Sequence, residues 1–146
     1  MKRVSIKGVL LGGLVDIIST NIVSISFVVY VMSTRGLLHM PPNQVNAAFI
    51  ATVHGSIWLY SLQQLIGCGC STLGGYLSAR IARHDELLNG VLSSFLCVAV
   101  GIYALATGKV ATAEFLLFPF SVLSALAGGY FRMLQQRAST RPTQLA

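Results

Sequence analysis

The chain has 146 residues, of which 54% are hydrophobic and only 10% charged, whereas an ordinary globular chain is about a quarter charged. With a mean hydropathy of +0.72 and four apolar stretches of bilayer-spanning length, the composition excludes a soluble domain and predicts a polytopic membrane protein. The formal net charge of +6 would suggest nucleic acid in a soluble domain, but its placement here excludes that too.

The expected fold is all-α, a four-transmembrane-helix bundle with helices over about 8–33, 47–79, 87–107 and 113–133. Residues 1–137 would form one domain and 138–146 a disordered cytoplasmic tail. Lys2, Arg3 and Lys7 precede the first helix, Arg80 and Arg83 separate the second from the third, and Arg132, Arg137 and Arg141 close the fourth. Arg35 and Lys109 alone fall on the other side. Cytoplasmic loops carry the Lys/Arg excess, so both termini are expected there. The basic strip then faces anionic inner-leaflet lipids.

Helix 1 opens at Lys7–Gly8. Its basic start and apolar run imitate a secretory signal, but the run is long, contains Asp16 and lacks a clear small-x-small cleavage site. A retained helix is expected. In the loop STRGLLHMPPNQVN that follows, Pro41–Pro42 keeps the first two helices apart, and Asn43 is placed to cap the second. Helix 2, at about 33 residues, would be roughly 50 Å long, so its outer third should project or tilt. IARHDELLNG reads as a tight turn, with Asp85 and Glu86 at the start of helix 3 where the dipole favours them. TGKVATAE is the second outer turn, before helix 4.

Two local echoes suggest an internal repeat. Helices 1 and 3 open KGVL (7–10) and NGVL (89–92); helices 2 and 4 close LGGYLSARIAR (73–83) and AGGYFRMLQQR (127–137). The picture is two pseudo-repeated helical hairpins about an axis along the membrane normal, the alternative being chance reuse of a helix-end pattern. At an offset of 82 between helices 1 and 3, Asp16 aligns with Val98 and has no acidic counterpart.

Helices in lipid associate through small residues that let backbones approach. They recur here at four-residue spacing: Gly8, Gly12, Asp16, Thr20 and Ser24; Gly67, Ser71, Gly75 and Ala79; Ser93, Cys97 and Gly101; Ser121, Ala125 and Gly129. Gly12, Gly67, Gly74, Gly75, Gly128 and Gly129 are therefore expected at helix contacts, with Tyr76 and Tyr130 as interface anchors.

Asp16 costs roughly 2.5–3.5 kcal/mol at mid-helix on insertion scales, so it must be paired, hydrated or protonated. It lies about 10–12 Å from the start of helix 1. The same depth in helix 2 falls at residues 69–72. The candidate intramembrane polar set, a proton or solute site if it is functional, is Asp16, Thr20, Gln64, Ser71, Thr72 and Arg80. Arg80 or Arg132 would reach it by snorkelling. His54, about 40 Å along helix 2 from Arg80, belongs near the outer surface. Cys68, Cys70 and Cys97 read as small packing residues. No metal set is visible, and neither a cofactor nor a catalytic residue is expected.

Gly74, Gly75, Tyr76, Arg80 and Gly90 form a Gly-Gly-aromatic, basic, short loop, glycine pattern. This resembles uncharacterised four-helix bacterial membrane proteins, a resemblance implying that architecture and an inner (plasma) membrane setting but no activity. LGGLVDIIST is also similar in flavour to the acid-bearing first helix of small multidrug resistance transporters, but the glycine-to-acid spacing differs and helices 2 to 4 offer no match. The expected role is a small scaffold, partner or regulatory subunit, working as a homo-oligomer or with another membrane protein. The alternative is a small oligomeric proton-linked transporter or channel using Asp16.

Overall fold

The computed structural model describes residues 4–107 and 118–139. Among these the chain is all-α, with no strand. Its helices are α1 (Ile6–Thr34), α2 (Pro42–His54), α3 (Ile57–Ala82), α4 (Glu86–Ala106) and α5 (Phe118–Ser139). The 29 residues of α1 and the Glu86–Tyr103 part of α4 are long and apolar enough to cross a membrane. A third crossing is added if α2 and α3 count as one bent span. These are the helices of an integral membrane protein.

Helix α1 matches its expected bounds. It stops where Gly36 takes the left-handed conformation (φ +68°), which glycine adopts without steric cost. A short 3-10 turn over Leu37–His39 follows. Helix α2 begins one residue before the expected cap. Pro42 occupies its first turn, where its fixed φ is pre-organised for the helix, and no side chain caps it, because the N-cap residue is Pro41, whose side chain has no acceptor. Asn43 is thus an exposed first-turn residue.

The expected single helix over 47–79 is two helices bent by 95°. The apolar pattern runs through the break unchanged, but Gly55–Ser56 does not favour helix. The Gly55 amide donates to the Ala51 carbonyl (2.9 Å), and the Ser56 carbonyl accepts from Tyr60 (3.0 Å) to start α3. Helix α5 runs on to Ser139, past the expected end at 133 and into the stretch expected to be disordered. The start of the expected fourth helix (113–117), the outer turn around Lys109, and residues 140–146 lie outside the described residues.

The chain forms two compact units, Ser19–Gly67 and Met1–Ile18 with Cys68–Ala146. In the first, Phe27, Val31, Leu37, Val53 and Leu59 make the core, flanked by Met32, Ala48, Phe49 and Ile66. The inward side of α2 (Val45, Ala48, Phe49, Thr52, Val53) follows the i, i+3, i+4 spacing of one helix face. Phe49 meets Phe27 edge-on, with centroids 6.5 Å apart.

The second unit is held by backbones that nearly touch. A methyl group at Gly8 would lie 2.8 Å from the Ser78 carbonyl, and one at Gly12 would lie 2.6 Å from the Gly74 carbonyl. The partners in α3 fall in number as those in α1 rise, so these helices run antiparallel. Helices α1 and α4 run parallel: the Ser5 amide donates to Asn89 Oδ1 (2.8 Å), and Gly13 abuts Ser93 and Leu96. The two Gly-Gly-Tyr segments cross each other. Gly75 presses on the Ala125 carbonyl, and Gly128 on the Thr72 carbonyl and the Tyr76 amide. Helices α4 and α5 are antiparallel, with Gly90 against Gly129 and Gly129 against the Glu86 carbonyl. Lys7, Arg80, Arg83, Arg132 and Arg137 consequently share one end of this unit.

Candidate functional site

Asp16 lies in the seam where α1 meets α3. The glycines at 8 and 12 bring the helices so close that a Cβ on Gly74 would lie 2.7 Å from that of Asp16. The carboxylate is 2% exposed. Ser71 of α3 donates to Oδ1 (3.3 Å), and the Cys97 thiol of α4 donates to Oδ2 (3.0 Å). The Ser71 and Ser121 hydroxyls are 2.9 Å apart. A hydroxyl has one proton, so with Ser71 donating to Asp16, Ser121 must donate to Ser71. Four helices thus contribute to one polar cluster. It can hold a carboxyl in either protonation state by rotating hydroxyls, and its donors fix the carboxyl's orientation.

A second buried polar centre lies about 10 Å or more along α4, at Asn89. Its side chain is fully buried. Besides accepting from the Ser5 amide, it donates from Nδ2 to the His84 (2.9 Å) and Asp85 (3.1 Å) carbonyls. Its own carbonyl accepts from the Ser78 hydroxyl (2.7 Å). The turn it holds is strained: Arg83 (φ 58°) and Asp85 (φ 43°) both take the left-handed conformation, which is unfavourable for residues bearing a Cβ. One amide side chain therefore joins the start of α1, the end of α3 and the α3–α4 turn.

No known family, curated protein or solved structure matches this chain.

Of the expected polar set, Asp16 and Ser71 meet. The Thr72 hydroxyl turns back to the Cys68 carbonyl of its own helix (2.8 Å), as threonine commonly does in helices. Arg80 is exposed in the last turn of α3, nine residues or about 13 Å beyond Ser71, and its charge stays at that end. Arg132 is half-buried, with its Nε enclosed and without a hydrogen-bond partner among the described residues. Thr20 and Gln64 belong to the Ser19–Gly67 unit. His54 packs edge-on against Tyr60 there, with centroids 5.3 Å apart.

Among the packing residues, Gly12, Gly74, Gly75, Gly128 and Gly129 all stand at close backbone crossings, whereas a Cβ on Gly67 would meet nothing within 4 Å. The contact face of α3 towards α1 is Ser71, Gly74, Ser78 and Ala82; Gly67 continues that face one turn before Ser71, but no atom of the described residues stands opposite it. The Tyr76 hydroxyl donates to Gln135 Oε1 (2.8 Å), so this ring links α3 to α5, while Tyr130 is exposed.

Cys97, Ser121 and Asn89 have no role beyond packing or pattern in the sequence reading. The offset of 82 between KGVL and NGVL was the available signal for Cys97. It sets α1 and α4 in parallel register, so residues near 98 lie level with Asp16. For Asn89, the signal was an uncharged amide one helical turn after a tight turn.

Proposed function

We propose that this chain is a four-span membrane protein with both termini cytoplasmic, in a bacterial inner membrane, acting as a small scaffold, partner or regulatory subunit. The observation that carries this reading is the use made of its polar groups. Asp16, Ser71, Cys97, Ser121 and Asn89 are engaged with one another or with backbone at helix crossings. That is how intramembrane polar residues act when they join helices. The gathering of Lys7, Arg80, Arg83, Arg132 and Arg137 at one end supports the topology and a contact with anionic lipid. The contact register of α1 with α4 and the crossing of the two Gly-Gly-Tyr segments support a hairpin duplication. Exposed apolar side chains such as Leu10, Leu14, Phe95 and Phe131 suit lipid, a second copy or another membrane protein. No enzymatic role and no nucleic-acid partner are proposed.

A second reading, a proton-linked transporter or channel, is favoured by the Ser121–Ser71–Asp16 hydrogen-bond chain, since a carboxyl in a line of hydroxyls can exchange a proton. Asp16→Asn separates the two. A scaffold carrying this substitution keeps its partner or oligomer, with at most a stability loss of about 1–3 kcal/mol, and purified protein in liposomes passes no protons with either residue. Proton flux by the native chain that Asp16→Asn abolishes without unfolding would replace the scaffold reading with the transport one.

A further inference from the structure

The 95° elbow at Gly55–Ser56 divides what the sequence presents as one apolar segment, and the two arms differ in chemistry. Helix α3 is 26 residues, about 39 Å, enough to cross a core of roughly 30 Å. Its hydropathy is lowered chiefly by Gln63 and Gln64, both half-buried, and by Arg80 in its last turn. It packs antiparallel along α1, one of the two helices that are apolar enough to span. Helix α2 is 13 residues, about 20 Å, too short to span. It buries one side on the unit's own core and exposes the other, with Asn43, Asn46 and His54 outward beside Ile50.

At the elbow two large apolar residues point away from the protein: Ile57 is 77% and Trp58 82% exposed. From Gly36 to Leu65 the chain carries no acidic residue, Lys or Arg. A Trp is favoured at headgroup level, where its ring is half apolar and half hydrogen-bonding.

We infer that α2 lies flat in the headgroup layer of the leaflet where α3 begins, with Trp58 marking the boundary at which the chain turns into the bilayer. With α3 tilted by about 20° from the normal, as spanning helices are on average, a 95° bend leaves α2 within about 25° of the membrane plane. The exposed face of α2, with Asn43, Asn46, Ile50 and His54, lies among the headgroups, and Ile57 and Trp58 at the elbow meet the upper acyl chains. The ligand of this surface is the lipid interface itself. The inference rests on the reading of α3 as a span, and the test separates the two.

Trp58 is the only tryptophan, so the native chain carries its own depth probe. The full chain is reconstituted in phosphatidylcholine vesicles containing lipids brominated either near the headgroup or near the acyl-chain ends. Trp58 should be quenched most by the shallow bromines. In a Trp58→Phe background, Ile50→Trp should report the same depth within one helical turn, about 5 Å, whereas a straight continuation of α3 would move it about 12 Å outward. Leu65→Trp in that background, on an exposed face of α3, should sit about 10 Å deeper than Trp58. Deep quenching at Leu65→Trp with Trp58 quenched only from water, or most by the deepest bromines, overturns the interfacial helix and leaves the span standing. No deep quenching at Leu65→Trp overturns the span and the inference with it.

Discussion

At the scale of single residues, the polar groups of this protein differ in how replaceable they are. Asn89 satisfies an amide of α1 and two turn carbonyls with one side chain. Asn89→Leu removes the side-chain bonds to the Ser5 amide and the His84 carbonyl, while the Asp85 carbonyl keeps the backbone amide of residue 89, and it should lower unfolding free energy in detergent by about 1–3 kcal/mol. Ser78→Ala removes only a bond to a carbonyl already within a helix, and it should cost about 1 kcal/mol. A third change should act in the opposite direction. Arg83 holds a left-handed conformation that glycine adopts freely, so Arg83→Gly should raise stability by about 1 kcal/mol, seen as a higher melting midpoint. Asp16 was recognisable in the sequence as the anomaly, because a carboxylate in an apolar helix demands an answer. The thiol and hydroxyls around it were less visible, since cysteine and serine are also ordinary small residues at helix contacts.

At the scale of elements, the decisive variable is how close two backbones come. Gly75 and Gly128 press on carbonyl oxygens of the facing helix, and a rigid backbone cannot yield as a side chain can. Gly75→Ala and Gly128→Ala should each destabilise by about 1–3 kcal/mol and separate α3 from α5. Gly67→Ala, entering open space, should be neutral or stabilise by up to about 1 kcal/mol through helix propensity. Thermal unfolding of the three variants in one detergent makes the comparison. Small-residue spacing alone could not distinguish these glycines, because it reports which face is small and not whether another helix is there. The break at Gly55–Ser56 escaped notice for a related reason. Hydropathy is blind to direction, and a two-residue punctuation inside an apolar run bends the chain without changing the average.

At the scale of the whole molecule, helix content and the bounds of α1 were legible because long apolar runs in a chain with few charges have few other solutions. What a linear pattern could not convey is that the chain is compact in two places. Phe27, Val31 and Val53 gather in one unit, while Asp16, Ser71 and Cys97 meet in the other. The proposed topology can be checked with Cys68, Cys70 and Cys97 replaced by Ser and single cysteines introduced at exposed ends. Arg83→Cys should react with a membrane-impermeant thiol reagent from the same side as Arg137→Cys, and Arg35→Cys from the other.

The hydrogen bonds of Asp16 also impose an order in time. Its cluster is made after it: its partners Ser71 and Cys97 come 55 and 81 residues later, and Ser121, which bonds to Ser71, comes 105 residues later, by subtraction of their numbers. At a synthesis rate of roughly 5–20 residues per second, the carboxyl waits some 5–20 s between leaving the ribosome and completion of its cluster. During that interval α1 must be held by the insertion machinery, or with its acid group kept hydrated, until the later helices arrive. Biogenesis of this protein is therefore paced by its last helix.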